Sequence, residues 1–275
     1  MNNFFKRSLT GIAYITIMLG GIIIHPFVFA SVFAIILFFT QSEFYKISEK
    51  AGFSPQKKIG LILGFLLFIL FFLTAKNIIP QSLILLSVPF LFFIFIAELF
   101  RPKSNALKNG AITLLGLIYV ALPFSLINFI VFAQTSGSNN FYPWIMVGIL
   151  LIIWIYDSMA YIFGSLLGKH KIASKISPAK SWEGLIGGTI FAVIMGIVNA
   201  VLFQEIDMFN WIVIALLTVI FGTIGDFFES KLKREIGIKD SGTILPGHGG
   251  LLDRFDSLLF AIPIIFVWLS LIDKF

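Results

Sequence analysis

The sequence predicts an all-α integral membrane protein of about nine transmembrane helices, with a cytoplasmic N-terminus and a polar cleft open to the cytoplasm. Three observations predict it. Of 275 residues, 58% are hydrophobic and the mean hydropathy is +0.99, more apolar surface than one core of this size hides from water. The apolar residues gather in runs close to the roughly 20 residues a helix needs to cross the hydrocarbon. The basic residues fall almost entirely in alternate connections between those runs, as the positive-inside bias requires.

In chain order the spans are 9–24, 26–40, 59–73, 78–97, 111–132, 143–165, 182–203, 209–228 and 255–272. Lys6 and Arg7 before the first run look like the start of a cleaved leader. Removing that run would spoil the charge alternation, so it reads as a retained helix. The second and third runs are short for a helix standing upright. Counting inward from the N-terminus, the inside connections hold Lys6 and Arg7; Lys46, Lys50, Lys57 and Lys58; Arg101, Lys103 and Lys108; Lys169, Lys171, Lys175 and Lys180; and Lys231, Lys233, Arg234, Lys239 and Arg254. That is 18 of the 20 Lys and Arg. Lys76 and Lys274 fall outside, with the uncharged 134–140 loop and the acidic Glu205/Asp207 turn. No tandem repeat or low-complexity linker divides the chain, so 1–275 reads as one polytopic domain. Residues 1–140 are expected to be scaffold and dimer surface, and 141–275 the catalytic half.

The net charge of +6 belongs to loops that face anionic headgroups, which argues against a nucleic-acid partner. Cysteine is absent, which excludes disulfides, zinc thiolate sites and thiol catalysis.

The acids are placed unevenly. In the first 156 residues they are Glu43, Glu49 and Glu98, at the inner ends of spans, where they are expected to sit in water. Later, Asp157 lies inside a span, Glu183 begins one, Asp226 and Glu229 end one, and Asp253 and Asp256 begin the last. Ionisable groups inside the bilayer are costly and usually face a functional cavity. Residues 230–256 are the densest stretch, with nine charged side chains and a histidine in 27 residues. Asp253 and Asp256, at i and i+3, share a helix face and repel unless a cation lies between them or one is protonated. Magnesium, which binds through one or two carboxylates plus substrate phosphates, satisfies that pair, with Asp226 as third ligand. A structural ion network with Arg254 and the lysines satisfies it equally. His248, Gly249 and Gly250 precede the helix, where backbone N–H groups and the helix dipole suit a phosphate; the same residues also make an ordinary turn. No Walker sequence is present, since residues 164–169 read GSLLGK and lack the Ser/Thr metal ligand.

Residues 230–256 resemble the signature of the phosphatidate cytidylyltransferases (CDP-diacylglycerol synthases): S-x-apolar-K-R, four residues, K-D, then P-x-H-G-G-apolar-x-D-R-x-D. Ser230, Leu232, Lys233, Arg234, Lys239, Asp240, Gly242, Leu245, Pro246, His248, Gly249, Gly250, Leu251, Asp253, Arg254 and Asp256 supply every element. The stretch Ser177 to Gly184 is similar to the family's SPKKT-x-EG loop, with Ala179 and Ser181 as departures, and Asp157 to Tyr161 with Gly164 resembles its D-(S/T)-x-A-Y motif. The first half agrees only in hydropathy and span number.

The resemblance implies transfer of the CMP moiety of CTP to phosphatidic acid, giving CDP-diacylglycerol and pyrophosphate in phospholipid biosynthesis. It implies magnesium at Asp226, Asp253 and Asp256, with a second cation such as potassium as a further expectation. Lys233, Arg234, Lys239 and Arg254 are expected to neutralise phosphates, beside Asp240, and the turn at His248, Gly249 and Gly250 to cradle one. Ser177, Lys180, Ser181 and Glu183 form a second wall of the cleft, and Asp157 is an outer metal or hydrogen-bonding partner. Ser181 with Glu183 also fits a capping pattern, and Trp182 an interfacial anchor. The resemblance further implies a homodimer among membrane lipids. The Ile/Phe/Lys-rich composition fits a bacterial inner membrane with the active site facing the cytoplasm. Two rivals share parts of this equipment: a CTP-dependent enzyme acting on another membrane lipid, and an ion-coupled transporter with buried carboxylates.

Overall fold

The computed structural model describes residues 3–101, 105–133, 141–174, 176–244 and 249–274, with side chains from Thr10 onward. Helix α1 (Asn3–Ile23) ends two residues before His25, whose ring accepts from the Phe27 amide and caps α2 (Pro26–Lys50), with Pro26 in the first turn. That arrangement suits proline, whose missing N–H would be unsatisfied there anyway. The α2 helix runs ten residues beyond the predicted 40. Gln41, Glu43 and Ser48 are buried against neighbours, so these polar side chains do not end the helix as water contact would.

Helix α3 (Lys57–Ala75) is followed by a 3-10 stretch, Gln81–Leu86, continuous with α4 (Ser87–Leu99). Helices α5 (Ala106–Gly116) and α6 (Leu122–Val131) form one rod, joined by a π-helical turn at Leu117–Ala121. The π-turn lies just before Pro123, which has no N–H to continue the α-helical ladder. Then come α7 (Trp144–Leu167), a short antiparallel hairpin of β1 (Lys171–Ala173) and β2 (Ser177–Ser181), α8 (Trp182–Leu202), α9 (Met208–Glu235) and α10 (Leu252–Leu271). Among the described residues, eight helical segments are long and apolar enough to cross a membrane, and Thr10–Ile23 adds a shorter apolar one. The nine predicted rods are therefore present, and among the described residues the hairpin is the β addition to the all-α prediction.

The second half packs in sequence, α7 on α8, α8 on α9 and α9 on α10, while α10 also leans on α6 and α2. Small residues let α7 and α8 approach closely, the usual device for helix packing in lipid. A Cβ on Gly184 would sit 2.7 Å from the Ala160 carbonyl oxygen, and one on Gly188 would sit 2.8 Å from the Tyr156 ring. On the opposite face of α8, Ile186, Ile190 and Ile194 are exposed, as a lipid-facing stripe must be.

One expectation about charge fails. Glu43 and Glu98 are 2% and 5% exposed, so these acids of the first half do not sit in water. Glu98 accepts from Gln56 Nε2 and pairs with Arg101 at 3.4 Å. An acid at the end of an apolar run reads as solvated only while no neighbouring helix offers donors.

Candidate active site

Helix α9 continues to Glu235, so Ser230 to Glu235, expected at the start of a loop, are helical and project from one rod. The helix stops in a Schellman arrangement: the Gly237 amide donates to the Arg234 carbonyl (3.1 Å) and the Ile238 amide to the Lys233 carbonyl (3.0 Å). Gly237 has φ +70°, which explains glycine there. The exposed Arg234 caps the same end, its Nη1 donating to the Ile238 carbonyl at 3.2 Å. Lys239 and Asp240 follow, both exposed.

The return into α10 is organised by Asp253. Its carboxylate takes Lys233 Nζ at 2.8 Å, the Ser241 amide at 3.0 and 3.1 Å, and the Gly250 amide at 2.8 Å. Gly249 has φ +82°, and a Cβ there would sit 2.7 Å from Asp253 Oδ2, so the tight turn requires glycine twice over. Lys233 also pairs with the buried Glu229, four residues earlier on its own helix. The Gly250 amide, expected to help cradle a phosphate, faces Asp253 in this structure. His248 lies outside the described residues, as do Leu245 and Pro246 of the signature and Lys175 of the hairpin.

One helix across, Asp226 pairs with Lys180 and accepts from Ser230 Oγ at 3.2 Å. Lys180 comes from β2 and lies 4.9 Å from the centre of the Phe227 ring. Asp256 receives the amide of Ser257 at 2.6 Å and lies within electrostatic reach of Asp226 and Asp157, with Lys180 opposing. Three carboxylates from α7, α9 and α10 thus share a region with one nearby ammonium.

Two cavities meet there. One of about 360 Å³ lies between α1, α7 and α10 and is lined by Tyr14, Trp154, Asp157, Asp253, Arg254 and Asp256, with apolar neighbours such as Ile15 and Leu150. The other, about 250 Å³, lies between α7, the hairpin, α8 and α9 and is lined by Tyr156, Asp157, Ser177, Lys180, Ser181 and Asp226. Asp157 borders both. The exposed Arg254 reaches the first and Ser177 the second.

The rest of the hairpin wall is locally bonded. Ser181 caps α8, accepting from the Gly184 amide at 3.2 Å, as its capping pattern allowed. Glu183 accepts from the Lys169 and His170 amides and lies 2.6 Å from His170 Nδ1, so it fastens the hairpin to the start of α8. Trp182 is exposed.

Among the described residues no three acids or histidines form a ready metal cage. Carboxylates are the donors that a hard divalent ion takes, and the structure groups Asp157, Asp226 and Asp256, with Asp253 held separately by Lys233. Asp226 and Asp253 each already hold an ammonium, and magnesium takes one or two carboxylates with phosphates completing its shell.

Three participants were not singled out from the sequence as site residues: Glu43, Ser241 and His170. Glu229 stood among the second-half acids, and its i,i+4 spacing to Lys233 signalled the pair.

A match to the cytidylyltransferase family covers residues 5–272. A phosphatidate cytidylyltransferase of Staphylococcus haemolyticus (strain JCSC1435) is 38% identical over 192 residues, 69% of this chain and 67% of the relative. Its namesake from Staphylococcus saprophyticus subsp. saprophyticus is 37% identical over 195 residues, 70% of this chain and 68% of the relative. That of Staphylococcus aureus (strain COL) is 37% identical over 192 residues, covering 69% and 67%.

Proposed function

We infer how this chain, which belongs to the cytidylyltransferase family and transfers the cytidylyl group of CTP to phosphatidate in phospholipid synthesis, carries out that transfer. The observation that supports the reading most is the pair of carboxylate and ammonium couples, Asp226 with Lys180 and Asp253 with Lys233, at two cavities that meet at Asp157.

A phosphate monoester has a second pKa near 6, so the lipid headgroup is already a dianionic nucleophile at neutral pH. Its oxygen attacks the α-phosphorus of CTP, the bond to the β-phosphate oxygen breaks, and pyrophosphate leaves with that electron pair. No proton must be removed by a strong base. The obstacle is repulsion between two anions, which positioned cations lower. Magnesium, when bound at Asp226 and Asp253 with Asp256 in support, would supply charge neutralisation across the reacting phosphates. Lys180, once Asp226 holds another cation, is placed to meet phosphate oxygens, and Lys233, still held by Glu229, offers its charge from beside Asp253. Arg254 serves the first cavity, and Arg234 and Lys239 draw the nucleotide from their exposed positions beside Asp240. Ser177 contacts substrate in the second cavity. Ser181 and Glu183 act through the hairpin they hold; His248 is assigned to a phosphate, while Gly249 and Gly250 shape the turn that holds Asp253.

The first cavity, where Ile15, Leu150 and Ile153 lie beside polar groups, suits a lipid headgroup whose acyl chains stay in the bilayer. The alternation of Lys and Arg along the chain supports a cytoplasmic N-terminus and a cytoplasm-facing site, and the bacterial relatives support a bacterial plasma membrane. Pairing of protomers through residues 1–140 is supported by the segment Gln81–Leu99, only 11% buried. The test is incubation of purified protein in micelles with labelled CTP, phosphatidate and magnesium. Label entering lipid only when phosphatidate and magnesium are both present is the expected outcome. Transfer to a different lipid, or ion transport without nucleotide, would replace this reading.

A further inference from the structure

Helix α10 carries Asp253 and Asp256 but lacks a side-chain cap of its own: its N-cap residue is Leu251, which offers none. The first helical amide, that of Leu252, donates instead to Glu43 Oε2 at 2.9 Å, 209 residues away in sequence. The same oxygen accepts from Ser241 Oγ at 3.2 Å. Ser241 is also the residue whose amide holds Asp253. Glu43 is 2% exposed, and the turn is moulded on it. A Cβ on Gly242 would collide with Glu43 Oε1, and one on Gly250 would collide with Ser241 Oγ and Glu43 Oε2. A carboxylate at a helix N-terminus satisfies an orphan amide and complements the dipole. Here the carboxylate comes from another helix, so α2 fixes where α10 begins.

We propose that Glu43 is a positioning residue for cytidylyl transfer: it caps α10 from α2 and clamps Ser241, Gly242 and Gly250, so that Asp253 and Asp256 are presented at a fixed depth. The proposal rests on the reading of those acids given above. Glu43 lies outside the signature residues and is not assigned a contact with either substrate.

The test compares wild type with Glu43→Ala, Glu43→Gln and Gly242→Ala in micelles. It reads steady-state transfer and hydrogen exchange of the segment containing Leu252. Glu43→Ala is expected to lower kcat about 30- to 100-fold, the scale of an ångström-sized misplacement, with KM for phosphatidate within twofold. Exchange should rise at Leu252 but not in α3 or α7. Glu43→Gln keeps an acceptor for both donors and should recover activity to within about fivefold of wild type. Gly242→Ala should mimic Glu43→Ala, and the double variant should fall no further than either single one. Two results would overturn the proposal: kcat within twofold of wild type in Glu43→Ala, or exchange rising uniformly through every helix, which marks a general fold defect. Wild-type protein that transfers no cytidylyl group would instead sink the functional reading, while the exchange result would still report on the cap.

Discussion

Acids wholly or partly withdrawn from water occur in both halves of the molecule, and their partners separate them into two kinds. In the first half, Glu98 is clasped by Gln56 and Arg101, and Glu43 by a hydroxyl and a backbone amide; neither lines the two cavities at Asp157. In the second half, Asp226 and Asp253 are each held by a lysine and border those cavities. Burial of a charge is therefore no mark of chemistry by itself. What separates the groups is whether the carboxylate faces space that a substrate can enter, with a cation that can be exchanged. Buried ion networks otherwise contribute mainly to register and specificity.

The largest expected effect is the loss of transfer on neutralising the second-half acids. Asp226→Asn and Asp253→Asn should each lower kcat about a thousandfold, the scale of removing charge stabilisation from a transition state; the Asp226→Asn melt should stay near wild type, and the Asp253→Asn melt should fall, because Lys233 is left with Glu229 alone. Radiolabel transfer and a thermal melt check both halves of that statement. Next comes Lys233→Met, which leaves Glu229 and Asp253 without their shared cation. Breaking a buried pair from one side costs about 3–5 kcal/mol, so this variant should melt far below wild type, and adding Glu229→Gln should restore part of the loss. If Lys233→Met melts normally, the pair is not structural.

Glu98→Ala probes the other side of the comparison. It takes one of the two acceptors of Gln56 Nε2 away, leaving the Ile94 carbonyl, and should cost about 1–3 kcal/mol of stability, while activity per folded molecule stays within twofold. A thousandfold loss of kcat in this variant would erase the distinction between the halves. Smaller still, Ser181→Ala removes the α8 cap and should cost about 1 kcal/mol, whereas Ser177→Ala should leave the melt unchanged and raise KM for CTP.

The smallest effect belongs to a carboxylate at the opposite end of α9. Asp207 caps that helix, and hydrogen bonds from the Asn210 backbone amide and then its side chain hold its carboxyl below the usual range. A depressed folded value contributes stability above the unfolded pKa, lost as pH falls through the folded one. Asp207→Asn, which still caps, should therefore remove a small acid-side fall in melting temperature between about pH 5 and 3 and leave transfer unchanged. An identical pH profile in both proteins would remove this role.

The fold was legible because hydropathy and charge alternation are set by the bilayer, residue by residue. Nine rods followed, with ends misplaced where burial hid the polarity: α2 runs past 40 because Gln41 and Glu43 meet other helices, and α9 runs past 228 because Lys233 finds Glu229 and Asp253. The site was legible as a set of residues, since residues 230–256 concentrate charge in a chain with little of it. Their division of labour was not. Nothing in the spacing of Asp253 and Asp256 says that one gathers a lysine and two backbone amides while the other lies among acids. Glu43 was invisible as a site residue because its partners stand about two hundred positions away, and one sequence carries no record of such a contact.

One measurement bears most directly on the central claim that Asp226 and Asp253 carry metal-assisted transfer while the first-half acids only build the frame. Asp226→Asn, Asp253→Asn and Glu98→Ala, each purified in micelles and shown to be folded by its melt, are titrated with magnesium in the labelled CTP and phosphatidate assay. The account expects the two aspartate variants to stay inactive or to need far more magnesium, and Glu98→Ala to follow the wild-type curve. Aspartate variants that reach full rate at wild-type magnesium would contradict it.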